Sequence, residues 1–329
     1  MSWHQLEIES EALRGNPLGD PHVRTLHVWA PDGDGPYPSV YLIQGMTGMV
    51  EMWFNHTPFV PSYPDEVSRL APEAVVVLVD AFTAYGGSQF VDSPGTGKYH
   101  TYLCDEVVPF VDSRFPTLAD PAHRAIAGKS SGGYGAMITP LLRPDLFRGL
   151  ATHAGDAVFE GCYQNEFAAT ARALRDKYEG SYERFWKSFR EERAAWTDKD
   201  DAVVMNTYAM AACYSANEDG TVDLPFDIAT GELRPDVWER WLAWDPVRMA
   251  RLPRHRETLR GMRAVWIDAG KSDEYFLDLG AVAFHREVLA AGTPEENVHF
   301  ELFAGTHGGI TWRYPLALSW LVERLSISL

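Results

Sequence analysis

Six short runs rich in apolar and β-branched residues, spaced by helical patterns, set the main constraint on this chain. They are "SVYLIQG" (39–45), "AVVVLVDA" (74–81), "HRAIAGK" (123–129), "FRGLATHAG" (147–155), "MRAVWIDAG" (262–270) and "VHFELFAG" (298–305). Each leaves its apolar stretch through Gly, Asp or Lys. Runs without polar alternation suit strands covered on both faces, and strands separated by helices imply a mostly parallel sheet flanked by helices. Two earlier runs, "HQLEIES" and "VRTLHVWAP", predict a leading antiparallel pair. "TYLCDEVVPFVDSRF" and "ITWRYPLALSWLVERL" predict flanking helices. The expected class is α/β.

One interval breaks this rhythm. From Val158 to Gly261 the text becomes helical and charged ("NEFAATARALRDKYEGSYERFWKSFREERAAW"), then a Gly/Pro/Asp loop ("SANEDGTVDLPFDIATGELRP"), then helical again ("DVWERWLAWDPVRMARL"). About 100 residues is too long for a simple connection between two core strands. The expectation is a core of residues 1–157 and 262–329 with a helical cap inserted at 158–261 and packed on it as one folding unit.

Composition narrows the partners. Of 329 residues, 46% are hydrophobic and 23% charged, as in ordinary globular proteins, and the formal net charge is −17. That charge argues against nucleic acid or an anionic membrane as partner. No apolar run is long enough to span a bilayer. "MSWHQLEIES" lacks a basic start followed by an apolar stretch, so no secretory signal is expected. Cys104, Cys162 and Cys213 form no close motif and read as reduced, buried thiols of a cytoplasmic protein. No metal-ligand spacing such as H-E-x-x-H occurs, so neither metal nor cofactor is expected. A homo-oligomer is left open.

Chemistry concentrates in "IAGKSSGGYGAM" (126–137). A phosphate loop would need a glycine five positions before Gly128-Lys129, and His123 stands there. The stretch fits G-x-S-x-G instead, with Ser130 at its centre. Centring on Ser131 would put Lys129 where the first glycine belongs. The required strand–turn–helix context is present, with "HRAIA" before and "SGGYGAMITPLL" after. Glycines are needed because side chains on either side of a sharply turned serine would strike the adjoining strand and helix.

A serine nucleophile needs a base, and the base an orienting acid. His307 in "FAGTHGGITW" follows the last predicted strand and comes last in the chain. His153 in "LATHAGD" also ends a strand and reads as a packed residue. Asp273 in the loop "AGKSDEYFLD" is the preferred acid, because a loop carboxylate can fold back toward His307. Asp268, Glu274 and Asp156 are the alternatives. An oxyanion needs two backbone N–H groups. Ser131, at a helix N-terminus, supplies one, and Met46, at the end of the strand "YLIQG", is the candidate for the other. Trp238, Trp241 and Trp244 recur every third residue in "PDVWERWLAWDP". They form either a face that packs the insertion on the core or a wall of the substrate pocket.

These stretches, taken in order, resemble the esterase D-like putative esterase family of α/β-hydrolases, which includes S-formylglutathione hydrolases, siderophore esterases and mycolyltransferases. "IQGMTG" resembles its oxyanion loop, "AGKSSGGYGAM" its nucleophile elbow, "IDAGKSDEYFL" its acid loop and "GTHGGITW" its histidine loop. The resemblance covers residues 1–157 and 262–329; the insertion matches no named relative. It implies a serine esterase acting on small-molecule esters through an acyl-enzyme on Ser130, His307 and Asp273. An acyltransferase or thioesterase on the same triad, or a binding protein on a hydrolase fold, are the alternatives.

Overall fold

The computed structural model describes residues 1–326. Eight strands build one sheet: β1 Ser2–Glu9, β2 Val23–Ala30, β3 Ser39–Ile43, β4 Val75–Val79, β5 Arg124–Lys129, β6 Gly149–His153, β7 Ala264–Gly270 and β8 Val298–Phe303. Their order across the sheet is β1-β2-β4-β3-β5-β6-β7-β8. β2 runs antiparallel to β1, as the leading-pair expectation required, and also to β4; every other neighbouring pair is parallel. β3, β4, β6 and β7 are buried along their whole length, which is why they read as unbroken apolar runs. β1 and β8, at the sheet edges, are largely exposed or half-buried.

Side chains of β3 alternate between two apolar clusters, Tyr41 and Ile43 in one, Val40 and Leu42 in the other. Helices cover both faces. They include α1 (Tyr63–Leu70), α2 (99–112), α3 (Ser131–Leu142), α4 (Phe167–Lys177), α5 (Asp201–Tyr214), α6 (Pro235–Leu242), α7 (Leu277–Ala291) and α8 (Arg313–Ser326). Residues of α1 and α8 fill one cluster; α2, α3 and α7 contribute to the other. This is the architecture of the α/β-hydrolase fold.

The connectivity fixes where a ligand can sit. From β3 the chain moves to β4 on one side, then returns to β5 on the other. In open α/β sheets such a reversal leaves a crevice at the carboxyl ends of the two diverging strands. The loops carrying Met46 and Ser130 flank that crevice.

Between β6 and β7 lies the insertion. Phe159, Tyr163, Phe167, Tyr214, Trp238 and Trp241 join the same cluster as β3 and α3, so one continuous core runs through both parts. The buried residues of a second cluster, Leu174, Tyr178, Tyr182, Phe185, Trp186, Val204 and Met205 among them, come from the insertion, and Met46 and Tyr85 of the core pack against them. The short helices Pro246–Ala250 and Pro253–Arg260 pack on α3 and α7, as a flanking layer of the sheet. Helix α5 escapes a reading by periodicity, because its apolar residues surround the axis: every position from Ala209 to Tyr214 is buried.

Candidate active site

β5 ends at Lys129, Ser130 makes the turn, and α3 begins at Ser131. Ser130 holds φ 57° and ψ −126°, a conformation that residues with side chains rarely adopt. Backbone proximity imposes it. A Cβ on Gly128 would lie 2.4 Å from the Gly132 carbonyl carbon, and one on Gly132 would lie 2.5 Å from the Ile43 carbonyl oxygen. The Ser130 N–H donates to the carbonyls of His153 (3.0 Å) and Ala154 (3.1 Å), tying the turn to the end of β6.

The loop after β3 presses on this turn. A Cβ on Gly45 would stand 2.9 Å from the Lys129 carbonyl oxygen and 3.4 Å from Ser130 Cβ. The next residue, Met46, and Ser131 both border the cavity that Ser130 faces. Among the described residues, neither the Met46 nor the Ser131 N–H donates a hydrogen bond. Two unspent amides therefore flank the serine, one at the N-terminus of α3, where the helix favours negative charge.

His307 Nδ1 lies 2.9 Å from Asp273 Oδ2. The other Asp273 oxygen accepts the Tyr275 N–H (2.9 Å), and Glu274 accepts the backbone N–H of His307 (2.9 Å). The Tyr275 ring stands edge-on to the imidazole, with centroids 4.9 Å apart. The Asp273 side chain is fully buried, whereas His307 keeps 12% of its surface exposed. The two loops are laced together. Lys271 N–H donates to Phe303 O and Ser272 N–H to Gly305 O, each at 2.9 Å. Gly270 cannot carry a side chain, because its Cβ would lie 2.5 Å from the Gly305 oxygen. His307 and Ser130 border the same cavity without a direct hydrogen bond between them; in unliganded enzymes such contacts are commonly loose.

Of the four carboxylates weighed from sequence, only Asp273 holds the His307 ring. Asp268 is committed elsewhere: it pairs with His153 Nδ1, Trp266 Nε1 and Arg313 Nε, each at 2.7 Å. Burial opposes its charge, but these partners outweigh burial and hold its carboxyl below the usual range. Asp156 Oδ2 accepts from the Tyr163 hydroxyl (2.7 Å), Gln89 Nε2 (3.2 Å) and the Ser131 hydroxyl (3.3 Å).

The cavity encloses about 640 Å³. The sheet side contributes Met46, Ser130 and His307; the insertion contributes Tyr163, Glu166, Met205 and Asn206. Burial pushes the Asp156 carboxyl up, and pushes that of Glu166 up to about 7. Burial lowers the Lys129 ammonium, against the pull of Asp273, Glu274 and Asp156. The insertion residues on this wall were not singled out from sequence. Glu166 lies among many surface-like charges, and Asn206 rides on α5, whose apolar run "AVVMNTYAMAA" was the only available signal.

The pocket-wall reading of the three tryptophans is corrected: none borders the cavity. Trp238 and Trp241 are buried and pack edge-on against Phe167, with centroids 5.3 and 5.6 Å away. Trp241 also meets Tyr163 and Tyr214, and its Nε1 donates to Ser215 Oγ at 2.8 Å. Trp244 lies beyond the end of α6, half-buried, where its carbonyl accepts the Tyr134 hydroxyl (3.1 Å). Three-residue spacing put the first two on one helical face, but that face looks into the insertion. Trp241 supports the cavity from behind, through Tyr163.

Among the described residues, no helix is long and apolar enough to cross a membrane. The three cysteines are free and buried.

The family model described as putative esterase matches residues 21–318. Among solved structures, the chain is similar to a ferulic acid esterase (19% identity, TM-score 0.60, covering 98% of each chain). It is similar to a fluorophosphonate-binding serine hydrolase of Staphylococcus aureus (17%, TM-score 0.58, 98% of each). It is also similar to an S-formylglutathione hydrolase from Agrobacterium tumefaciens (17%, TM-score 0.56, 98% of this chain and 95% of that one). At these identities the likeness carries the fold.

Proposed function

The chain belongs to the putative esterase family, a family of carboxylic ester hydrolases, and on that premise we propose that Ser130, His307 and Asp273 form its catalytic triad and work through an acyl-enzyme. One observation carries the reading: His307 Nδ1 is held at 2.9 Å by a buried carboxylate while its ring borders the cavity of a strained serine. Asp273 fixes the tautomer with the proton on Nδ1, leaving Nε2 as the base. Ser130 Oγ attacks the ester carbonyl carbon as Nε2 takes its proton. The carbonyl oxygen becomes anionic between the N–H groups of Met46 and Ser131, which are preorganised to receive it. Collapse expels the alcohol, which takes the proton from His307. Water, activated by the same nitrogen, then releases the acid. Residues of the insertion close one side of this cavity, which supports its role as a cap. Three buried free thiols support a reducing, cytoplasmic setting.

The test is labelling with a serine-directed fluorophosphonate, with the adduct located by mass spectrometry, beside hydrolysis of chromogenic esters. An adduct on Ser130 and loss of both signals in Ser130→Ala are expected. An adduct on Ser131, or full ester turnover by Ser130→Ala, overturns the assignment. Met46→Pro deletes the second oxyanion donor and should lower kcat roughly 10²- to 10³-fold, while Met46→Ala keeps most activity.

A further inference from the structure

Two carboxylates on the cavity wall have no part in the chemistry above, and each has one oxygen spare. Asp156, 6% exposed, gathers its three hydrogen bonds on Oδ2, and among the described residues Oδ1 accepts none. Glu166 accepts from Asn206 Nδ2 on Oε2 (3.1 Å), and among the described residues Oε1 accepts none. Both border the cavity that holds Ser130. Asp273 and Glu274 add negative charge behind His307. Against them stand two lysines on the wall. Lys199 is spent on Asp200 (2.7 Å) at an exposed position, which leaves Lys129 facing Asp156, Asp273 and Glu274.

These spare oxygens are not sealed from the cavity, so a ligand that enters it can bring the donors they lack. The group that best answers two such oxygens is an ammonium, which brings three donors and the compensating charge. We propose that the ester substrate of this protein carries a protonated amine that docks on Asp156 and Glu166 while its carbonyl sits at Ser130. This rests on the esterase reading above. It makes Glu166 and Asp156 specificity residues rather than participants in bond-breaking. Burial lifts both carboxyls, and in Glu166 the Asp156 charge adds to the effect; a cation placed beside them would favour their charged forms.

The experiment compares matched 4-nitrophenyl esters ending in ammonium, hydroxyl or methyl, with acyl chains of roughly four to eight carbons, and the corresponding acetates of amino, hydroxy and plain alcohols. kcat/KM is read near pH 8 for wild type, Glu166→Gln and Asp156→Asn, with thermal unfolding as the folding control. The wild type should favour the ammonium ester over its methyl isostere about 10- to 100-fold in at least one series, the factor of a charged hydrogen bond. Either variant should cut that ratio at least about fivefold. Because the ratio is taken within each variant, a general loss of rate cancels. A ratio near one in every series, hydroxyl esters matching ammonium esters, or a high ratio untouched in Glu166→Gln overturns the proposal. Ser130-dependent cleavage of the methyl esters with no amine preference sinks this inference alone. No cleavage of any ester sinks the triad reading with it.

Discussion

Two histidine–aspartate pairs stand at neighbouring strand ends in this molecule. His307 and Asp273 lie 2.9 Å apart; His153 and Asp268 lie 2.7 Å apart. Both use Nδ1, and by distance alone either could serve as a catalytic dyad. The surroundings separate them. His307 borders the cavity and has the serine across from it. His153 is fully buried, its Nε2 finds no partner among the described residues, and the Tyr314 ring stands edge-on to it. Asp268 also anchors Arg313, whose side chain is 3% exposed, so its pair is part of a buried ionic network beneath the sheet's edge. A His–Asp pair becomes a general base only where the second ring nitrogen opens on a reacting atom.

The sharpest way to break this comparison is to exchange the acids. Asp273→Asn should lower kcat by about 10⁴ with ester substrates, because the amide imposes the wrong tautomer. Asp268→Asn should change kcat of the folded protein less than about tenfold, since it touches no reacting group. Steady-state kinetics decides; equal losses would merge the two pairs into one functional unit.

Stability should rank the pairs in the opposite order. Asp268→Asn leaves the Arg313 guanidinium buried with Glu301 as its remaining acidic partner among the described residues, and should cost about 3–5 kcal/mol in denaturant unfolding. His153→Ala should cost about 1.5–3 kcal/mol, the loss of a buried hydrogen bond to a charged group. Asp273→Asn should cost less than either. If it destabilised most, the cavity-facing pair would be the structural one.

The smallest effect is in pH. The Asp268 carboxyl lies below its ordinary value in the fold, so the unfolded chain binds the proton more readily. Its contribution to stability is therefore complete above the unfolded pKa of about 4 and fades as pH falls through the lower folded value. Unfolding curves between about pH 5 and 2 should lose this acid limb in Asp268→Asn. Glu166 has the reverse sign. Its carboxyl is raised to about 7, so its ionisation weakens the fold as pH climbs toward that value. The stabilisation of Glu166→Gln relative to wild type should grow from about pH 4.5 to 7 and then level off. A flat difference across that range would remove the case that Glu166 is a desolvated acid.

Which of these features could be read from the chain depends on what holds them in place. The elbow is made by backbone contacts that only glycine permits, so Gly128 and Gly132 announce it in the text, and the order Ser130, Asp273, His307 follows from strand ends. The sheet is legible because its central strands are apolar on both faces. The choice between Asp273 and Asp268 was less open than it looked: a residue inside β7 points into the layer below, while one three residues past its end can fold over. The insertion resisted reading for a different reason. Its cavity wall is set by how α4 and α5 pack on each other, and no local pattern encodes that. The tryptophans of α6 drew attention by spacing, but spacing fixes a face and not its neighbour. Glu166 and Asn206, forty positions apart, meet only through tertiary packing.

The acid loop and the histidine loop cross at Gly270 and Gly305 and are hydrogen-bonded strand end to strand end. The Asp273–His307 spacing is therefore braced from both strands. Ser130 is braced to the same frame: its N–H bonds the end of β6, and the Ala154 N–H donates to the Asp268 carbonyl in β7 at 2.7 Å. The parts of the proposed triad thus hang from one uninterrupted lattice of strands, β5-β6-β7-β8, and their spacing is set when the sheet itself forms.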